Sequence, residues 1–106
     1  GFISVNAGYE KGEFVTKPMT FTGNTLELNY STAGAGEIRV EIQDTKGQPI
    51  AGYTLEDCDT IKGDAIAGHV KWKDRANIGK LAGQSIRLRF VMNEADIFSL
   101  KFAEKK

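Results

Sequence analysis

Very little in this sequence is suited to bond-breaking chemistry. It holds one cysteine (Cys58), one histidine (His69) and two prolines in 106 residues. A lone cysteine excludes an internal disulfide and a cysteine-rich metal site, and it does not discriminate between redox compartments. Net charge is missing as well: 14 basic side chains cancel 14 acidic ones. No net field exists to draw in a phosphate backbone or an anionic bilayer, so neither nucleic acid nor membrane is expected as a partner. No run approaches the roughly 18 apolar residues of a membrane-spanning helix. The charge runs are short, Lys73-Asp74-Arg75 and Glu104-Lys105-Lys106, and read as solvated loop and tail. The chain opens strand-like on Gly1-Phe2-Ile3-Ser4-Val5-Asn6, without Met or a signal peptide, and is expected to be a piece of a longer protein.

What is present belongs to a globular domain. At 41% hydrophobic and 26% charged residues, the composition lies far from that of disordered chains, and the length suits one domain spanning residues 1–106. The 12 glycines punctuate short apolar runs, as hairpin turns do in a sandwich. Sustained helical spacing is absent. The last third carries three strand-like runs: Val70-Lys71-Trp72-Lys73, Leu81 to Met92, and Ile97-Phe98-Ser99-Leu100-Lys101-Phe102. The expected fold is all-β, an antiparallel β-sandwich of jelly-roll-like form with about eight strands.

Alternation names the core. In Glu37-Ile38-Arg39-Val40-Glu41-Ile42-Gln43 the period of two puts Ile38, Val40 and Ile42 inward and leaves Glu37, Arg39, Glu41 and Gln43 on a wet face. Leu26, Leu28 and Tyr30 follow the same rule, as do Ile86, Leu88, Phe90 and Met92. The outward Glu27, Glu37, Glu41, Arg39, Arg87 and Arg89 are suited to cross-strand pairing. Phe2 to Val5, Glu13 to Lys17 and Met19 to Thr22 read as further strands. Asp44-Thr45-Lys46-Gly47 has the pattern of a type I turn, and Pro49 limits the strand after it. Ala33-Gly34-Ala35-Gly36 reads as a second turn. Arg75 to Ala82 is a connection with room for one helical turn.

The segment Leu55 to Gly68 is long for a hairpin loop and concentrates acids, which makes it the expected special loop. Glu56, Asp57, Asp59 and Asp64 are the candidate ligand-binding acids. Asp57, Asp59 and Asp64 are also the weak candidates for calcium, whose ligands are hard oxygens, yet the Asp-x-Asp-x-Asp-Gly order of an EF-hand is missing. A solvated or backbone-capping loop is the favoured reading, and no cofactor is expected. A glycosidase pair would need two carboxylates in a cleft that raises one pKa, which a small sandwich rarely provides. Nucleophilic catalysis would need His69 as base, and His69 flanks a strand that turns it outward. No enzyme activity is expected. Asn29-Tyr30-Ser31 matches a glycosylation acceptor but lies within a strand. Among the aromatic residues, which stack against sugar rings when exposed, Tyr30 and Trp72 fall on core faces, whereas Tyr9 and Tyr53 are better placed to reach solvent.

Several segments carry a resemblance: Thr16-Lys17-Pro18, Leu28-Asn29-Tyr30-Ser31-Thr32, Arg39 to Asp44, Leu55-Glu56-Asp57-Cys58-Asp59, Gly63-Asp64, Trp72-Lys73, Leu81-Ala82-Gly83, Arg87-Leu88-Arg89-Phe90 and Ala95-Asp96-Ile97-Phe98-Ser99. Together they resemble the C-terminal β-sandwich module that ends large secreted or periplasmic bacterial proteins assigned to glycoside hydrolysis. At the level of fold alone the chain is similar to jelly-roll carbohydrate-binding modules. Asn77-Ile78-Gly79 departs from the Asp-Leu-Ser of related modules before the Leu-x-Gly turn. The resemblance implies a secreted or periplasmic, non-catalytic accessory module that binds carbohydrate weakly. The alternative is a structural interdomain module packed on an upstream catalytic domain of the same chain.

Overall fold

The alternation that names the core also forms the longest elements. A computed structural model describes the backbone of residues 2–104 and the side chains of residues 12–104. Its strands are β1 (Phe2–Val15), β2 (Thr25–Gln43), β3 (Asp64–His69) and β4 (Arg87–Ala103), with a single 3₁₀ turn at Gly79–Leu81 inside the connection expected to hold one. They form one sheet in the order β1-β4-β2-β3, and every neighbouring pair is antiparallel.

The all-β antiparallel class is therefore observed, but among the described residues the strands are four, three of them 14 to 19 residues long, instead of about eight and short. One apparent turn lies inside a strand. Ala33-Gly34-Ala35-Gly36 is no hairpin: the register runs from Thr32 opposite Ala95 to Glu37 opposite Asn93, so four residues of β2 bulge against Glu94 alone. Gly34 and Glu94 both have positive φ there. At Gly36 the carbonyl oxygen of Glu94 lies 2.4 Å from where a Cβ would stand, so only glycine permits this approach. Similarly, the Phe2 to Val5 and Glu13 runs merge into β1, and the segment around Tyr9 is strand, with Tyr9 opposite Ala95, instead of loop. Met19 to Thr22 contributes one bridge, Met19 to Ile86.

One face of the sheet carries Leu26, Leu28, Ile38, Val40, Ile42, Leu88, Phe90, Met92, Ile97 and Leu100, all buried. No second sheet covers them among the described residues. The covering layer is made of connections that contribute Phe21, Cys58, Ile61, Val70, Trp72, Ile78, Leu81 and Ile86 to the same core, stitched by isolated bridges such as Cys58 to Trp72. Irregular backbone survives at a buried boundary only if its polar groups are paired. Along the free edge of β2, Ile38 exchanges both backbone bonds with Ile61 at 3.0 Å, and Ile42 bonds Tyr53 and Ile50 at 2.9 Å. Between them, Val40 is served by side chains: its amide donates to Cys58 Sγ at 3.3 Å and its carbonyl accepts from Trp72 Nε1 at 2.9 Å.

The opposite face is not uniformly wet. Glu41 is only 4% exposed, because Gln43 Nε2 and the Leu55 amide donate to it and Arg89 Nη1 sits 3.4 Å from Oε2. The expected turn after β2 is present: Asp44 Oδ1 accepts from the amides of Lys46 and Gln48 at 2.9 and 3.0 Å, and Pro49 bridges Gln43.

Candidate functional site

The acidic loop is a clamp. Trp72 and Arg75 exchange backbone bonds across a tight turn whose two central residues, Lys73 and Asp74, both have positive φ. That is the geometry for which Asn-Gly is the usual sequence, so Lys-Asp here stores strain. The loop holds it in place. The Lys73 amide donates to the Asp57 carbonyl at 2.8 Å, and the Asp74 amide donates to Asp59 Oδ2 at 3.0 Å. The Asp57 carboxylate accepts from the Thr54 hydroxyl at 3.0 Å and faces Lys73 Nζ at 3.4 Å. The Thr54 hydroxyl first, then its amide and Lys73, hold this carboxyl below the usual carboxylate range. Replacing Lys73-Asp74 by Asn-Gly is expected to raise stability by about 1 kcal/mol, read as a higher urea midpoint at unchanged slope. A lower midpoint would show that the clamp depends on the native side chains.

The calcium candidates are thereby dispersed. Asp57 and Asp59 serve the Trp72 turn, while Asp64 Oδ1 accepts from the Thr32 amide at 3.3 Å, in a knot where the Thr32 hydroxyl also bonds Gly63. Among the described residues no three His, Cys, Asp or Glu side chains are grouped to hold a metal ion. Glu56 is exposed. Tyr53 does not reach out as a platform: it is partly buried and meets Trp72 edge-on, with ring centroids 5.7 Å apart. The side chain of Tyr9 lies outside the described residues. His69 is half-buried, its Nε2 3.2 Å from Glu27 Oε2.

Burial pushes the Cys58 thiol from an ordinary 9.0 up to about 11. The folded thiol stays protonated where the unfolded one ionises, so stability falls as pH rises from 9 towards 11. The native chain is expected to resist iodoacetamide at pH 8 and to react promptly in denaturant, measured by intact mass. Equal rates in both states would contradict the burial.

A different place on the sheet has the properties of a contact surface. Leu28 pairs with Gly68 and Tyr30 with Ala65, so on β3 the residues Ile66 and Ala67 stand against Asn29 alone. On β4, Ser99 pairs with Asn29 and Ile97 with Tyr30, leaving Phe98 as the extra residue. Two bulges thus flank Asn29 at one level of the sheet. Each turns an apolar side chain to solvent, Ile66 at 84% and Phe98 at 53% exposure. Bulges recur where a strand must re-aim a side chain. Between them lies an open hollow of about 410 Å³, lined by Asn29, Tyr30, Ser31 and Asp64 as well as by Ala65, Ile66 and Phe98. A smaller hollow of about 120 Å³ shares Asn29 and Ile66 and extends to Glu27, Ser99 and Lys101. The Tyr30 ring lies across Gly68, where a Cβ would come within 2.6 Å of Cε1.

Of the described acids and tyrosines expected at a site, Asp64 alone lies in this hollow. Asn29, Ser31, Ile66 and Phe98 were not singled out as ligand contacts by sequence reasoning. The signal was masked: Phe98, Leu100 and Phe102 alternate as one face of a regular strand would, and Ile97 alone breaks the pattern.

No family model, curated protein or solved structure matches this chain.

Proposed function

We propose that this chain is a non-catalytic accessory module of a secreted or periplasmic bacterial protein, and that it holds carbohydrate weakly at the hollow between the β3 and β4 bulges. The observation that carries this reading is the pair of bulges, which sets Ile66 and Phe98 at the margins of a polar floor made by Asn29 and Ser31, with the Asp64 carboxylate beside it. A sugar presents apolar C–H faces and hydroxyl edges together, and such a surface answers both. We read the covering layer as the reduced half of a jelly-roll-like sandwich of about eight strands. The bridges Met19 to Ile86 and Cys58 to Trp72, which lie outside the β2 edge, support that reading.

The test is co-sedimentation with insoluble cellulose, chitin, xylan and mannan. Binding to at least one, in the micromolar to millimolar range of shallow sites, is expected. Failure on all of them would turn the reading to its alternative, a structural interdomain module. One observation favours that alternative: Val15, on edge strand β1, is 45% exposed, a third outlying apolar side chain that a neighbouring domain would cover.

A further inference from the structure

We infer that the trough across β2 selects an uncharged glycan of at least two sugar units, with Phe98 as its stacking platform; this rests on the carbohydrate reading just given. Three observations lead there. The first is extent. The two hollows adjoin at Asn29 and Ile66, and together they follow β2 from Ser31 to Glu27. Four strand steps cover about 13 Å, longer than a single hexose ring.

Charge is the second observation. The charged residues that line the trough are Asp64, Glu27 and Lys101. Glu27 is occupied by His69, Lys101 is itself engaged and not free, and Asp64 is exposed at the wider end. A uronate, sulfate or phosphate lying beside Phe98 would meet the Asp64 carboxylate, and like charges at contact distance disfavour binding. An uncharged sugar meets only useful partners there. Asn29, Ser31 and Ser99 each offer a donor and an acceptor, and the carboxylate accepts from hydroxyls.

The third is the exposure of the ring. Phe98 is the unpaired residue of its bulge and stands half out of the sheet, while its neighbours Ile97 and Leu100 are at most 1% exposed. A phenylalanine that merely filled the core would point the other way.

Affinity electrophoresis in native gels tests this. The neutral polymers are hydroxyethyl cellulose, arabinoxylan and galactomannan, and the anionic ones are polygalacturonate and alginate. The chain is expected to be retarded by at least one neutral polymer and by neither anionic one. Phe98→Ala is expected to weaken the neutral interaction about tenfold, the loss of one aromatic contact. Its urea midpoint should stay within error of the wild type, because the side chain contributes little to the core. Asp64→Asn, which keeps an oxygen for the Thr32 amide, is expected to admit the anionic polymers. A disaccharide or trisaccharide of the retained polymer should compete at least tenfold better than the monosaccharide. If a neutral gel retards wild type and Phe98→Ala equally, or anionic gels retard it as strongly as neutral ones, the inferred site or selectivity falls and the carbohydrate reading stands. Equal competition by the monosaccharide removes the extended site. If no gel retards the chain, both fall.

Discussion

Trp72→Ala is expected to cost about 3–5 kcal/mol of stability, close to the whole margin of a small domain. Trp72 is 1% exposed, so truncation opens a large cavity among connections that lack a regular ladder. The variant Trp72→Phe separates two contributions. It keeps most of the apolar volume but removes the Nε1 donor, leaving the Val40 carbonyl without its 2.9 Å partner. An orphaned buried acceptor costs about 1–3 kcal/mol, and that is the expected loss for Trp72→Phe in urea denaturation. Cys58→Ala should behave alike for the Val40 amide, which donates to Sγ. Because both side chains serve one residue of β2, the double variant should lose measurably less than the two single losses added. A Trp72→Phe protein as stable as the wild type would show that the edge of β2 is not held by this bond.

Arg89→Met is expected to destabilise by about 2–4 kcal/mol, measured the same way. Arg89 pairs with exposed Glu13 and with Glu41, which is nearly buried. Hydrogen bonding to Glu13 first, and then to Glu41, holds the guanidinium above its ordinary pKa. Removing it strands a carboxylate that retains only Gln43 and the Leu55 amide. The cost is put below that of a fully buried pair because the Arg89 side chain is 31% exposed and water can partly replace it. Adding Glu41→Gln to Arg89→Met should recover much of the loss, since the amide leaves no charge to desolvate. A loss below about 0.5 kcal/mol for Arg89→Met would place this pair among ordinary surface ion pairs.

Particular residues show how much was legible beforehand. Ile38, Val40, Ile42, Leu26, Leu28, Ile86, Leu88, Phe90 and Met92 are buried where alternation puts them. Tyr30 is inward but only partly buried, at the rim. The structure departs from that alternation in the continuity of its strands. Inward positions on β4 run Leu88, Phe90 and Met92, then shift parity at Glu94 to Ala95 and Ile97, and shift again past Phe98 to Leu100. A bulge inside a strand and a turn between strands both break the period of two, and a single sequence cannot distinguish them. With each break taken as a turn, the four strands resemble about eight.

The site was less legible for the same reason. Acids close in sequence were expected to act together, yet Asp57 and Asp59 support the turn after Trp72, and Asp64 is tied to Thr32. Tyr53, better placed by sequence to reach solvent than Tyr30 or Trp72, is partly buried and meets Trp72 edge-on. Asn29, Ile66 and Phe98 stand 37 and 32 residues apart along the chain, so only strand pairing brings them to one level of one sheet.

By itself the sequence determined the all-β class and the inward face of the regular runs Leu26 to Leu28, Ile38 to Ile42 and Ile86 to Met92, because side-chain alternation is a local property of extended backbone. The tertiary structure alone decided where strands continue through a bulge, which side chains complete the edge of β2, and that Ile66 and Phe98 flank one hollow. Those outcomes depend on register between distant segments, and register is settled by pairing across the sheet, not by any residue's own neighbours in the chain.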